Sequence, residues 1–296
     1  MKHRLVASVL LVSALLVAGC GLSRRSDPVW EKVESSGRIV IGTSADYRPF
    51  EYYNDFFQIT GFDAAIAREL GARLGLKVEL VDIAFDGLLT AVQIGQVDAG
   101  IAAISVTPDR QASVDFSDVY FTGRGSALAS DTSSVQPIVA RAQLAQYRVG
   151  VQRGSVYDSW ILSNLVAPGL MPASNLLVYE KPEHAISDLT QGRNDVVVLD
   201  SAAAEPYLQA GGVRLVGQGL NPQSLAIALP KGASTLQSRI NEALTEMRND
   251  GTLLKFAILY LGTDRLEPPS AAPTPVPGPT ATPPACYDAL EFVDDV

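Results

Sequence analysis

The sequence predicts an α/β protein made of two lobes of similar build, and three observations carry that prediction. Short β-rich runs alternate with segments of helical period between residues 38 and 102, as in a parallel sheet with crossover helices. The pattern then restarts: residues 148–152 read as a strand, followed by a Gly turn and a helix start. Finally, Gln93-Ile94-Gly95-Gln96-Val97-Asp98 in the first half is echoed by Gln191-Gly192-Arg193-Asn194-Asp195 in the second. Both run helix, Gly, two residues, Asp, strand.

In order, residues 38–43 form a short buried strand, and 44–50 follow as a loop broken by Pro49. Gly61-Phe62-Asp63 opens a helix with Ile66, Leu70 and Leu74 on one face, closed by Gly75. Residues 76–81 are the next strand. Phe85-Asp86-Gly87 leads into a helix with Leu88, Leu89 and Val92, which Gly95 ends before an apolar strand at 97–102. Thr107 then reads as an N-cap, Pro108 as the first helical residue and Asp109 as first-turn acid. Residues 125–129 return as a strand, and 130–146 are a polar connection of weak helix character. Arg153-Gly154-Ser155-Val156-Tyr157-Asp158 is a Gly turn into a helix. Residues 176–179 and 196–200 are strands flanking a helix opened by Pro182 and Glu183, with Ile186 and Leu189 inward. Residues 224–229 are a strand. Residues 236–261 are mainly helix, interrupted at Asp250-Gly251-Thr252, and Gly262 ends the globular part.

The two ends read differently from the body. Lys2 and Arg4 precede an apolar run, residues 5–18, interrupted only by Ser8 and Ser13. It is short for a membrane span and ends in small residues, so 1–19 read as a secretory signal. Leu16-Val17-Ala18-Gly19-Cys20 resembles a bacterial lipobox. That resemblance implies cleavage before Cys20, acylation of its sulfur and a lipid anchor in the membrane; the other reading is a plain signal with an incidental Cys. Residues 20–37 read as the lipidated start and tether. Residues 263–284 are a Pro/Thr-rich, extended spacer. Residues 285–296 carry strand-like residues and read as the start of a further, incomplete module.

Composition excludes several classes. The chain has 296 residues, 47% hydrophobic and 19% charged, with net charge -9. The balance is acidic, with 32 Asp and Glu against 23 Lys and Arg, so nucleic acid is not an expected partner. Cys286 has only Cys20 to pair with, and the two histidines, His3 and His184, stand apart. A disulfide framework or a Cys/His metal set is therefore not expected, nor is a cofactor.

The candidate site lies where strands end. In parallel sheets ligands gather at the carboxyl ends of strands. Residues 43–47, Phe85 and residues 103–110 all fall there. Arg110 offers a planar cationic fork that matches a carboxylate, beside a helix N-terminus with unpaired N–H groups, and Ser105 adds a hydroxyl. Alone, this stretch is also an ordinary capped helix with a solvated arginine. Ser155 begins a second such helix start. Asp200 ends a strand in the second half, either as a helix cap or as a partner for a ligand ammonium.

Taken together, these pieces resemble the family-3 extracellular solute-binding proteins, the amino-acid-binding components of bacterial ABC importers. The resemblance covers about residues 37–262. It rests on Gly42-Thr43 through Pro49-Phe50, Gly61-Phe62-Asp63, Phe85-Asp86-Gly87-Leu88-Leu89, Gly95 to Asp98 and Ser105-Val106-Thr107-Pro108-Asp109-Arg110. It continues through Val114-Asp115-Phe116-Ser117, Val149-Gly150-Val151-Gln152, Gly154-Ser155, residues 195–200 and Asp250-Gly251-Thr252.

The resemblance implies a type II periplasmic-binding-protein-like fold with two crossover strands as hinge. One lobe would hold 38–128 and 222–262, the other 129–221. Arg110 would pair with the ligand α-carboxylate, helped by backbone N–H at Ser105 and Val156. Asp200 would take the α-ammonium, with the Ala103 carbonyl and the Ser105 hydroxyl. Tyr47 and Phe85 would form walls. Members that bind lysine, arginine or histidine commonly carry Asp directly after the first-strand Thr, where this chain has Ser44. The expected partners are an amino acid and a transporter permease, for an extracytoplasmic, lipid-anchored monomer. The chain departs from the family in Asp118-Val119-Tyr120, which lacks a Pro, in Leu259-Tyr260-Leu261-Gly262, and in Ala102 and Ala103, where some members carry hydroxyls.

A binding protein is the expected function. A prephenate or arogenate dehydratase shares the fold and is the alternative enzyme. No Ser/His/Asp or Cys/His set or phosphate loop supports it, although an acid–base pair such as Asp46 and Asp200 is conceivable. A sensing domain of a surface protein is a third reading.

Overall fold

The computed structural model describes residues 27–264. The signal, Cys20, nearly all of the Pro/Thr-rich spacer and Cys286 lie outside the described residues. In chain order the first lobe runs α1 (Pro28–Ser36), β1 (Arg38–Thr43), β2 (Asp46–Tyr47), β3 (Glu51–Tyr53), β4 (Ile59–Thr60), α2 (Phe62–Leu74) and β5 (Lys77–Asp82). It continues through α3 (Phe85–Gln93), β6 (Ala99–Gly100), α4 (Pro108–Ser113) and β7 (Asp115–Phe116). β8 (Phe121–Ser130) crosses into the second lobe. There follow β9 (Val149–Gln152), α5 (Val156–Ile161), β10 (Leu176–Tyr179), α6 (Pro182–Thr190), β11 (Val196–Asp200) and α7 (Ser201–Ala210). β12 (Val213–Leu225) crosses back to β13 (Ala228–Leu229), α8 (Ser234–Asn249) and α9 (Thr252–Phe256).

Each lobe has a five-stranded sheet, ordered β5-β1-β6-β13-β7 in the first and β10-β9-β11-β8-β12 in the second. β1 is parallel to β5 and β6, and β9 is parallel to β10 and β11. This is the predicted α/β class. The carboxyl ends of β1, β6, β9 and β11 lead into the segments that line the cleft.

The two crossover strands pair with each other, antiparallel, from Val213 opposite Ser130 to Leu225 opposite Phe121. β8 also pairs with β11 over residues 125–128. Those residues therefore sit in the second sheet, although the expected boundary leaves them in the first lobe. Both expected boundaries fall inside the crossover strands, whose pairing runs through the hinge with register shifts between Leu215 and Gln223.

α1 is a correction to the expected tether. Its residues lack strong periodicity, yet tertiary contacts order them. Asp27 Oδ1 accepts from the N–H groups of Val29 and Trp30, both at 3.1 Å, and caps the helix. Its Oδ2 accepts from Thr235 N–H at 2.8 Å and Leu236 N–H at 3.1 Å, tying α1 to the start of α8. Val33 is fully buried in the first-lobe core. α7 and the first part of β12 are also absent from the sequence reading. Pro206 inside α7, and Gly217, Gly219 and Pro222 inside β12, mask their periodicity.

Cores form as the patterns predict. Phe62, Ile66 and Leu70 of α2 face Ile39 and Ile41 of β1 and Ile240 and Leu244 of α8. Each such side chain contributes about 1.5–3 kcal/mol on burial. Gly75, at φ 68°, then turns the chain out of α2, a conformation without steric cost only for glycine. Val149, Val151, Val196 and Val198 fill the second lobe around Ile161 and Leu165. Among the described residues no helix is long and apolar enough to cross a membrane.

Candidate functional site

A cleft of about 460 Å³, open solvent included, lies between the lobes. Tyr47 reaches it from β2, Phe85 from the start of α3, Ala103 and Ser105 from the segment joining β6 to α4, and Arg110 from the first turn of α4. Ser155 and Val156 reach it from the start of α5, and Asp200 from the end of β11. Eight of the nine expected ligand-binding residues thus line one cavity. The ninth, Ser44, is buried outside the lining and its hydroxyl lies 3.3 Å from Asp46 Oδ1.

Asp200 is buried, and its carboxylate makes no cap bond to α7 although it stands at the N-cap position. Instead Oδ2 accepts from the Tyr47 hydroxyl at 2.8 Å and Oδ1 from the Tyr157 hydroxyl at 3.0 Å. Burial drives its pKa up to about 6, against the two phenol bonds and the charge of Arg110, which favour the anion. Both tyrosines are pushed well above their ordinary value, by burial first and the Asp200 charge second, so they remain donors.

A hydrogen-bond chain extends this pole. Ser105 Oγ donates to Gln223 Oε1, and Gln223 Nε2 donates to the Tyr157 hydroxyl oxygen. The Ser105 proton is thereby committed, and its lone pairs remain to accept. A carboxylate has about four acceptor positions, of which the phenols take two. Acceptors therefore dominate this end of the cleft, which suits a cation.

Arg110 supplies the positive charge of the lining. Thr107 caps α4 through the Arg110 N–H at 3.3 Å, which fixes where that side chain begins. Its guanidinium donates to Ser105 O at 2.8 Å and, across the lobes, to Gly154 O at 3.0 Å. It also lies 5.6 Å from the centre of the Phe85 ring. Two donated bonds leave three of its five N–H groups for an anion. Burial lowers its pKa to about 10, with Asp200 opposing, so it stays charged at neutral pH.

Tyr157 and Gln223 also line the cleft, and the sequence reading missed both. Tyr157 had a weak signal, because it follows the Gly-Ser turn by two residues. Gln223 had none: it meets Ser105 across 118 positions of sequence, on a crossover strand. The ring of Tyr157 needs Gly125, where a Cβ would come within 2.6 Å of Tyr157 Cε1 and 2.8 Å of Leu220 O. Among the described residues no group of three or more His, Cys, Asp or Glu is placed to hold a metal.

The comparisons with known proteins point the same way. The model of the bacterial extracellular solute-binding proteins, family 3, matches residues 39–263. The arginine-binding extracellular protein ArtP of Bacillus subtilis (strain 168) is 31% identical over 264 residues, spanning 86% of this chain and 96% of that protein. Among solved structures, an ArgBP mutant from T. maritima is similar at a TM-score of 0.73 and 27% identity, covering 79% of this chain and 100% of that one. An ancestral arginine-binding protein bound to glutamine is similar at a TM-score of 0.69 and 33% identity, covering 77% of this chain and 99% of that one. With these matches over both lobes and the cleft, the chain belongs to the bacterial extracellular solute-binding proteins of family 3.

Proposed function

We propose that the cleft clamps one small L-amino acid by its two charged ends and presents it to the permease of an ABC importer. One observation carries this reading: Arg110 and Asp200 line one cleft from different lobes. The α-carboxylate meets Arg110 and backbone N–H at Ser105 and Val156. The α-ammonium meets Asp200, the Ser105 hydroxyl and the Ala103 carbonyl. Tyr47 and Phe85 are the walls. A ligand touching both lobes favours the closed state by its differential affinity. The chain acts as a binding protein and not as an enzyme.

The side chain of the ligand is neutral or acidic, and not basic. Ser44 stands where members that bind basic amino acids commonly carry Asp. Asp200 is the one carboxylate among the lining residues, and the ammonium uses it. Asp46 lies behind, in hydrogen-bond reach of Ser44, with burial raising it to about 6. A desolvated ammonium or guanidinium on the side chain is costly without a partner. Glutamine, found in the similar ancestral protein, suits such a cleft. Calorimetric titration with glutamine, glutamate, serine, leucine, arginine and lysine in one buffer tests the reading. Tightest binding of arginine or lysine overturns the side-chain argument, and no binding at all overturns the amino-acid reading.

Acylation at Cys20 tethers a monomer outside the cytoplasm. The lipobox-like residues support this, and Cys20→Ser tests it. The variant should leave the membrane fraction with ligand affinity unchanged.

A further inference from the structure

Behind the cleft lies an acid pair that ligand contact does not explain. Glu51 of β3 and Asp63 of α2 are both fully buried. Their backbones are tied together, since Asp63 N–H donates to Phe50 O, one residue before Glu51, at 2.9 Å. Asp63 Oδ2 accepts from Ala103 N–H at 2.6 Å and from the Tyr120 hydroxyl at 2.8 Å. Ala103 lines the cleft and has φ 44°, an uncommon conformation for a residue with a Cβ. Its amide is held there by Asp63.

Three oxygens of the pair are left over. Asp63 Oδ1 and both Glu51 oxygens are buried without a hydrogen-bond partner. Buried polar atoms are rarely left so, and two buried carboxylates facing each other do not both ionise. The side chains act on each other directly, and the other groups bearing on Glu51 most strongly are Asp46 of β2 and Asp200 of β11. Asp63 is also hydrogen-bonded by Tyr120 and feels the charge of Asp200. Each of these is an acid, so none offers a compensating positive charge. Burial and the Asp63 charge push Glu51 well above the ordinary carboxyl range.

We propose that Glu51 and Asp63 share one proton, carried by Glu51 and donated to Asp63 Oδ1, and that Asp63 is thereby a positioning residue for Ala103. As an anion Asp63 grips the Ala103 amide and sets the backbone whose carbonyl receives the ligand ammonium. That last step rests on the amino-acid reading above; the shared proton does not.

Infrared spectroscopy of the ligand-free protein at pH 8 tests the pair, with Glu51→Gln and Asp63→Asn as isosteric variants. The wild type should show the carbonyl stretch of a neutral carboxylic acid, Glu51→Gln should lose it, and Asp63→Asn, which leaves Glu51 buried, should keep it at a shifted frequency. Glu51→Gln keeps a donor toward Asp63, so affinity for L-glutamine should stay within about threefold. Asp63→Ala should weaken L-glutamine at least about tenfold and speed amide exchange at Ala103. Asp63→Asn, whose Oδ1 still accepts, should restore most of both. Absence of the band in the wild type, its survival in Glu51→Gln, or unchanged Ala103 exchange in Asp63→Ala overturns the proposal. If the wild type binds no amino acid, the cleft reading fails, while the infrared and exchange results still decide the pair.

Discussion

The phenol of Tyr47 donates to Asp200 Oδ2 at 2.8 Å and accepts from the Asp200 N–H at 2.9 Å, joining the two lobes through one hydroxyl. Together with the Arg110 bond to Gly154 O, it forms a latch between the lobes. The latch exists only while the lobes are together.

Tyr47→Phe is expected to loosen that latch. It leaves a buried N–H and a carboxylate oxygen short of a partner, worth about 1–3 kcal/mol. Ligand-free Tyr47→Phe should show a larger radius by small-angle scattering, and ligand should shrink it. Affinity should fall about tenfold. Identical scattering from wild type and variant, with and without saturating ligand, would count against a hinge.

Arg110→Ala should abolish useful binding while leaving the fold intact. Losing one partner of a buried charge pair costs about 2–5 kcal/mol, or ~30- to several-thousand-fold in affinity. Calorimetry reading an unchanged affinity would remove Arg110 from the site, and circular dichroism checks the fold.

Acid should act oppositely on stability and on binding. Burial raises Asp46, Asp63 and Asp200 to about 6 in the folded chain, from an ordinary 3.8. Between those values the native state holds more protons than the unfolded one, so stability rises as pH falls from about 6 toward 3.8. For Asp200 the full gain is up to about 3 kcal/mol. The lowered Asp115, Asp188, Asp195 and Asp250 contribute stability that is lost only below 3.8. Ligand affinity should weaken over the same window, because protonated Asp200 no longer attracts the ammonium. Thermal melts of ligand-free protein at pH 7.5 and 4.5, with titrations beside them, check both directions. A melting point that falls steadily with acid contradicts the assignment.

Asp27→Ala should cost about 2 kcal/mol, since one carboxylate serves the starts of two helices. Ligand affinity should not change, because Asp27 lies outside the cleft lining. An unaltered melting point would make α1 an appendage.

Local chemistry was legible in the sequence. Thr107 before Pro108 specified the start of α4, Gly75 the end of α2, and the apolar run at 196–199 a buried strand. These features follow from neighbouring residues, through caps, φ angles and apolar period. Arg110 and Asp200 stood out because charge at a strand's carboxyl end is chemically expressive. The tertiary structure alone decided what their neighbours do. Asp200 could cap a helix or face a ligand, and two phenols from distant segments assign it to the cleft. Asp27 looked like tether until α8 supplied N–H partners some 208 positions away. Gln223, on a crossover strand, joined the site only because the chain returns beside Ser105. Such roles depend on low-dielectric burial and on which donors the fold brings within 3 Å, and neither is encoded in local spacing.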